Sequence, residues 1–207
     1  MKLRDLIPEG LDDLTGEDEL VYQTEKIIFN PKEPSDELRK ETGYKRELSR
    51  LLPIVKKFGI KKAREINKAV RKYTATGYGR MNKSLRTGKL PSNASLIDQY
   101  IEIAPKFKGS KLFRGIGKDL FQYITSLQSK KIIEKAFMSV TKDRSTADSF
   151  ANKGKGGILI LTGALNKATQ APLPYMYRDG EAEFIFPRNT RLEIIKVRGN
   201  EIYTKVK

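Results

Sequence analysis

Two glutamates one residue apart, Glu181 and Glu183, stand at the head of a segment that continues into Phe184-Ile185-Phe186. On an extended strand residues i and i+2 face the same side, so both carboxylates would share one face beside an apolar run. Like charges that close cost free energy unless a cation, a ligand or a reaction compensates. Taken alone, the pair reads more simply as an exposed edge strand with two solvated carboxylates. Two other segments change that reading. Arg114 follows Leu112-Phe113, and Ser139-Val140-Thr141 follows Ala136-Phe137-Met138. A guanidinium fork suits a diphosphate because it donates several hydrogen bonds at once. A serine hydroxyl can fix a glutamate rotamer. A cation, a pair of hydroxyls and a carboxylate pair, all at strand ends, could converge on one cleft.

The elements that must position these groups follow from pattern. Residues 1–35 carry Pro8, Pro31, Pro34 and the acidic cluster Glu17-Asp18-Glu19, and read as an acidic arm, poorly ordered or loosely docked, with one apolar patch, Ile27-Ile28-Phe29. Ser35 before Asp36 and Glu37 marks a helix start, with a helix to about Leu52 and a second one opening at Pro53. Ile54, Phe58, Ala63, Ile66, Ala69 and Val70 recur near the helical period. Tyr73 to Gly77 breaks that helix. Tyr78 to Leu85 and Asn93 to Ile103 are further short helices. After Pro105 the period gives way to short apolar runs. Strands are expected at 111–116, 135–140, 157–162, 181–186, 191–197 and 201–206, the last two joined through Arg198-Gly199-Asn200. Short helical pieces are expected at 121–127 and 145–152. Helices first and strands later predict an α+β fold with a mainly antiparallel sheet.

Composition narrows the chemistry. The 207 residues contain no cysteine and no histidine. Disulfides, zinc sites built on Cys or His, and Ser-His-Asp or Cys-His catalysis are therefore excluded. No run of about 18 apolar residues suggests a membrane span, and the basic N-terminus is followed by no apolar core, so no secretory signal is expected. The net charge of +16 is uneven: residues 1–35 hold four Lys/Arg against nine Asp/Glu, and residues 36–207 hold 37 against 16. Such a body attracts anions, whether nucleic acid, acidic proteins or phosphorylated ligands, although a lysine-rich solubilising surface would look the same. Gly115-Ile116-Gly117 and Gly154-Lys155-Gly156-Gly157 lack the remaining residues of phosphate-binding fingerprints and read as turns.

Phe113-Arg114-Gly115, then Phe137-Met138-Ser139-Val140-Thr141, then Glu181-Ala182-Glu183, in this order and at about these gaps, resemble the Arg–Ser–Glu class of mono-ADP-ribosyltransferases. That class includes clostridial-type binary toxins, vertebrate ecto-enzymes and bacteriophage enzymes. The usual middle motif is Ser-Thr-Ser; here it is Ser-Val-Thr, with the first serine kept. Upstream, Ala69 to Thr74 and Tyr78 to Arg86 are similar to the helical segment before the catalytic strands of the binary-toxin branch. The likeness covers about residues 55–207.

The resemblance implies a split β-sandwich with an N-terminal helical subdomain (36–105), a β part (106–207) and a central NAD cleft. It implies NAD as substrate, no metal, and these roles. Arg114 holds the NAD phosphates and Gly115 admits the nicotinamide amide. Glu183 stabilises the oxocarbenium-like transition state and is oriented by Ser139. Tyr73 and Asn82 contact NAD, Phe150 places a ring near the nicotinamide, and Lys153 stands where that branch often has a phosphate-binding arginine. Glu181 selects arginine as acceptor, and the loop Pro172 to Gly180 meets the target through Tyr175 or Tyr177. The expected activity is transfer of ADP-ribose to arginine side chains of a target protein by a monomer in a cytoplasm, that of a host if the enzyme is phage-encoded or injected. Transfer to a nucleic acid, plain NAD hydrolysis, and a non-enzymatic nucleic-acid-binding module remain as alternatives.

Overall fold

The computed structural model describes residues 20–22, 24, 27, 28, 41–151, 155–172 and 183–207. Helix α1 (Glu41–Lys72) runs through Pro53 and is broken instead at Gly59, whose φ of 74° and ψ of 165° form a conformation that glycine alone adopts cheaply. This corrects the expectation that a second helix opens at Pro53. An internal proline forfeits one helical hydrogen bond, but Leu51, Ile54 and Val55 around it are buried and hold the helix on the core. The break expected at 73–77 is a turn of π-helix (Tyr73–Gly77) that leads directly into α2 (Tyr78–Arg86). The helix is widened there rather than ended. Helix α3 (Ala94–Ile103) follows and packs on α1.

One core lies among these helices. Ile54, Ile66, Val70, Tyr73, Leu85, Ile97 and Tyr100 are buried together with Phe137, Ala171 and Ile185 from the strand region. Ile27 and Ile28 are buried in the same cluster; most of the expected acidic arm, 1–35, lies outside the described residues.

Beyond Pro105 come β1 (Leu112–Ile116), α4 (Lys118–Ser126), β2 (Lys131–Glu134), β3 (Met138–Thr141), α5 (Arg144–Phe150), β4 (Gly157–Gly163), β5 (Thr169–Gln170), β6 (Glu183–Phe186), β7 (Thr190–Arg198) and β8 (Glu201–Val206). Strand β2 was not expected, and β3 begins three residues later than the pattern suggests. The strands form one sheet in the order β2-β7-β8-β4-β1-β3-β6-β5, antiparallel except for the parallel pair β4–β8. The fold is α+β, as predicted.

The sheet has a seam. Strands β1 and β4 are in register over five pairs, whereas β1 and β3 share one, Phe113 opposite Thr141. The chain thus forms a five-stranded half and a three-stranded half. A second core draws Leu112, Leu159, Leu192 and Ile202 from the first half and Met138, Val140, Phe184 and Phe186 from the second. The two halves therefore face each other across a shared apolar interior, a split sandwich. A small third cluster seats α5 on β1 and β4 through Ala147, Ala151, Ile158 and Ile160. Among the described residues no helix is long and apolar enough to cross a membrane.

Candidate active site

The seam opens on one side into a cavity of about 210 Å³. Its wall comprises Thr74, Tyr78 and Asn82 from the helical side, Phe113, Arg114 and Gly115 from β1, Ser139, Val140 and Thr141 from β3, Thr146, Ala147 and Phe150 from α5, and Glu183 from β6. Register explains part of this. Thr141 lies opposite Glu183, and Ser139 opposite Ile185. Cross-strand partners share a face, as do residues two apart on a strand. Ser139, Thr141 and Glu183 therefore point the same way, toward the helices. Phe184 and Phe186 alternate to the sandwich interior and anchor the strand that presents Glu183.

Arg114 reaches across the seam: its Nη1 donates to the Ser139 carbonyl at 3.1 Å. Burial pulls its guanidinium below the ordinary arginine range, while Glu134, Tyr73 and Glu183 oppose that shift and Arg86 adds to it. The group stays charged, since an arginine is not deprotonated in a protein. Glu134 is in turn held by a two-pronged bond from Arg86, at 3.0 and 2.9 Å, and by the Ala136 N–H at 3.0 Å.

Helix α5 is set by its cap. The Asp143 carboxylate accepts from the Ser145 N–H at 2.9 Å, and Thr141 Oγ1 accepts from the Asp143 N–H at 3.0 Å. The last residue of β3 therefore fixes the start of the helix that carries Phe150, which is exposed at the cleft. Gly115 is required by this packing. A Cβ there would lie 2.0 Å from the Ala147 carbonyl oxygen and 2.7 Å from the Ala151 nitrogen, so the strand meets the backbone of α5 directly.

Asn82 and Tyr73 divide the work expected of them as a pair. Asn82 is buried on the cleft wall; its Nδ2 donates to Tyr73 Oη at 3.2 Å, and its Oδ1 has no hydrogen-bond partner among the described residues. A buried acceptor left open costs free energy unless something supplies a donor. Tyr73 was expected in contact with NAD, but it is fully buried behind the wall. Its ring packs edge-on against Phe137 at 5.6 Å and its hydroxyl donates to the Phe137 carbonyl at 3.3 Å. Burial raises its pKa; Asn82 and Ser139 beside the hydroxyl pull the other way. It supports Asn82 and the β3 approach rather than the cavity surface.

The strand that bears Glu183 is also held from behind. The Ala171 N–H donates to the Glu183 carbonyl at 2.9 Å. The Ala171 carbonyl accepts from Arg46 Nη2 at 3.3 Å, and the Gln170 carbonyl accepts from the Tyr100 hydroxyl. Tyr100 lies under Arg50, 5.5 Å from its ring centre. Arg50 binds Glu47 at 3.0 and 2.5 Å and Asn67 at 2.8 Å, and Arg71 reaches the same glutamate at 2.7 Å. All of these are buried. A polar cluster inside the helical core thus ends on the strand next to Glu183.

Arg114, Gly115, Ser139, Asn82, Phe150 and Glu183 come together at one cleft. Glu181, Lys153, Tyr175 and Tyr177 lie outside the described residues. Sequence reading missed Thr74, Tyr78 and Thr146 as wall residues, whereas Thr141 is the second of the two hydroxyls expected there. Thr74, Tyr78 and Asn82 are spaced by four, the spacing of one helical face, and that signal was present once the helix was known to continue.

Solved structures share this fold. An ADP-ribosyltransferase from Clostridium botulinum superposes with a TM-score of 0.58 at 17% identity, over 83% of this chain and 94% of that one. The Vis toxin of Vibrio splendidus gives 0.55 at 18%, over 87% and 88%. Exoenzyme S from Pseudomonas aeruginosa, solved with human 14-3-3 protein beta and carba-NAD, gives 0.56 at 15%, over 75% and 86%. A search of curated protein sequences gave no significant match. Residues 40–207 match the family described as ADP-ribosyltransferase exoenzyme, and with the seam, the cleft and its Arg–Ser–Glu wall in place, the chain belongs to that family.

Proposed function

We propose that the chain transfers ADP-ribose from NAD to an arginine side chain of a target protein and releases nicotinamide. The observation that supports this most is the convergence of Arg114, Ser139 and Glu183 on one cleft, against a buried Asn82 oxygen with no partner among the described residues. That oxygen would accept a hydrogen bond from the dinucleotide. Arg114 would neutralise the diphosphate, and Phe150 and Gly115 would bound the nicotinamide end.

Glu183 accepts a hydrogen bond from the 2′-hydroxyl of the nicotinamide ribose. As the bond between the ribose anomeric carbon and the nicotinamide nitrogen breaks, its electron pair leaves with neutral nicotinamide and positive charge grows on the sugar. A carboxylate aimed at that charge stabilises the transition state more than the ground state. Ser139 orients it. The acceptor arginine nitrogen then forms the new bond to the anomeric carbon and gives up a proton. Glu181, two residues upstream of Glu183, pairs with the acceptor guanidinium and takes that proton. An arginine pKa above about 12 excludes deprotonation beforehand. Lys153 would add charge for the phosphates, and Tyr175 or Tyr177 would pack on the target. No step calls on a metal ion.

Glu183→Gln is expected to abolish both NAD hydrolysis and transfer, by about 10²-fold or more, in a folded protein. Full transfer activity in that variant would overturn the assignment. Glu181→Ala is expected to lose transfer to arginine and keep NAD hydrolysis; loss of both together would remove Glu181 from the acceptor role.

A further inference from the structure

Positive charge is concentrated on the helical side of the cleft. Residues 56–89 hold twelve lysines and arginines and one acidic residue, Glu65, and so carry eleven of the sixteen net charges. Lys62 pairs with Glu65 at 3.3 Å. Lys61, Arg64, Lys68 and Lys72 are all exposed and have no ion-pair partner among the described residues. Their spacings of three, four and four place them along one face of α1. At 1.5 Å per residue the row is about 16 Å long. The chain continues without a break through the π turn into α2, where Arg80 and Lys83 are likewise exposed and unpaired among the described residues. Tyr78 and Asn82 of the same helix line the cleft. The positive row therefore leads toward the cleft rim.

Helix stability does not account for it, because like charges three or four apart cost a few tenths of a kcal/mol per pair. The row also lacks the features of a protein-binding surface. Cores of protein interfaces are depleted in lysine and depend on aromatic or apolar anchors, whereas none of the large exposed apolar side chains lies between Ile60 and Lys72. A linear, anchor-free row of cations instead matches a linear polyanion whose charges are its backbone.

We propose that Lys61, Arg64, Lys68 and Lys72 form a docking face for the phosphate backbone of a nucleic acid, and that it brings nucleic-acid-bound targets to the cleft. Binding at this face needs no NAD and is independent of the catalytic reading, whereas delivery of targets to the cleft rests on it.

The test is fluorescence anisotropy of the full chain with a labelled single-stranded RNA of about 20 nucleotides, titrated at several salt concentrations. One variant carries Lys61→Gln, Arg64→Gln, Lys68→Gln and Lys72→Gln. A control of equal charge carries Lys131→Gln, Arg191→Gln, Lys196→Gln and Lys205→Gln, all exposed on the strands. Both are checked by circular dichroism and by NAD hydrolysis, which neither set should change. The helix variant is expected to bind at least about 10-fold more weakly and to lower the slope of log K against log salt by about 2 to 3, since each lost phosphate contact removes about 0.7. The control should bind much more tightly than the helix variant. Failure of the wild type to bind near physiological salt, equal loss in the two variants, or no loss in the helix variant would each overturn the proposal. So would polyglutamate competing as well as unlabelled RNA, which would make the face a site for acidic protein. Site-specific RNA binding by a chain that never hydrolyses NAD would leave this face standing and remove the transferase reading.

Discussion

The backbone N–H of Ala171 donates to the carbonyl of Glu183, at 2.9 Å. This ties the carboxylate proposed to stabilise the transition state to a short strand that the helical core holds through Tyr100 and Arg46. Tyr100→Phe removes one hydroxyl from that attachment. We expect a loss of about 1 kcal/mol, or roughly 2–4 °C in Tm, and a several-fold fall in kcat for NAD hydrolysis with KM for NAD nearly unchanged. Thermal unfolding and steady-state kinetics on the same samples check this. An unchanged kcat at a lowered Tm would make the attachment purely structural.

Asn82→Ala separates binding from folding. Among the described residues the Asn82 Oδ1 has no partner and its Nδ2 has one, Tyr73. Removing an open acceptor relieves a cost that partly offsets the lost bond. We expect Tm to change by only a few degrees while NAD affinity falls about 10- to 100-fold, the equivalent of roughly 1–3 kcal/mol. Calorimetric titration with NAD is the direct measurement, and unchanged affinity would remove Asn82 from the binding site.

Gly115→Ala tests the contact between β1 and α5. Its Cβ would meet the Ala147 carbonyl oxygen at 2.0 Å. Backbone cannot yield as a flexible side chain can, so a cost of about 2–4 kcal/mol is expected, together with displacement of Phe150. Chemical denaturation should show it; a change under about 0.5 kcal/mol would mean that α5 moves freely on the sheet.

Two buried tyrosines set the alkaline limit. Burial pushes the Tyr100 hydroxyl up to about 12 from an ordinary value of 10.0, and raises Tyr73 as well. Below about pH 10 both tyrosines are protonated, folded or unfolded. Above it the unfolded chain loses those protons while the folded chain keeps them, so stability falls as pH rises. A two-unit shift corresponds to roughly 2–3 kcal/mol lost toward pH 12. Tyr100→Phe should flatten this fall in denaturant titrations at pH 9 to 11. Between pH 6 and 8.5 stability should be nearly level, because the chain has no histidine to titrate there.

How much was legible in advance depended on whether information was local. Arg114, Ser139 and Glu183 could be read from short motifs in a fixed order, which the family resemblance supplied. The strand-end expectation holds for Glu183 at the start of β6, whereas Arg114 is the central residue of β1 and reaches the cleft because β1 borders the seam. The β7–β8 hairpin could be read from its turn. Strand β2 could not: Lys131-Ile132-Ile133-Glu134 is four residues long, and β7 makes it a strand. The Pro53 error shows burial overriding a local breaker, since Leu51, Ile54 and Val55 keep the helix on its core. The resemblance implied that Tyr73 contacts NAD; whether a tyrosine lines a cavity or stands behind it depends on Phe137, 64 residues away.

The single pair between Phe113 and Thr141 joins two halves that each have much longer registers elsewhere. A molecule built this way has one compliant line and two stiff bodies. In strand pairing alone, opening the seam breaks one position and the Arg114–Ser139 bond, whereas motion within β4–β8 must disrupt six paired positions. Amide exchange should reflect that hierarchy, with the N–H groups of β3 nearest the seam opening at lower free energy than those of β4 and β8. The line of least resistance in the protein then coincides with the place where its chemistry is proposed to occur.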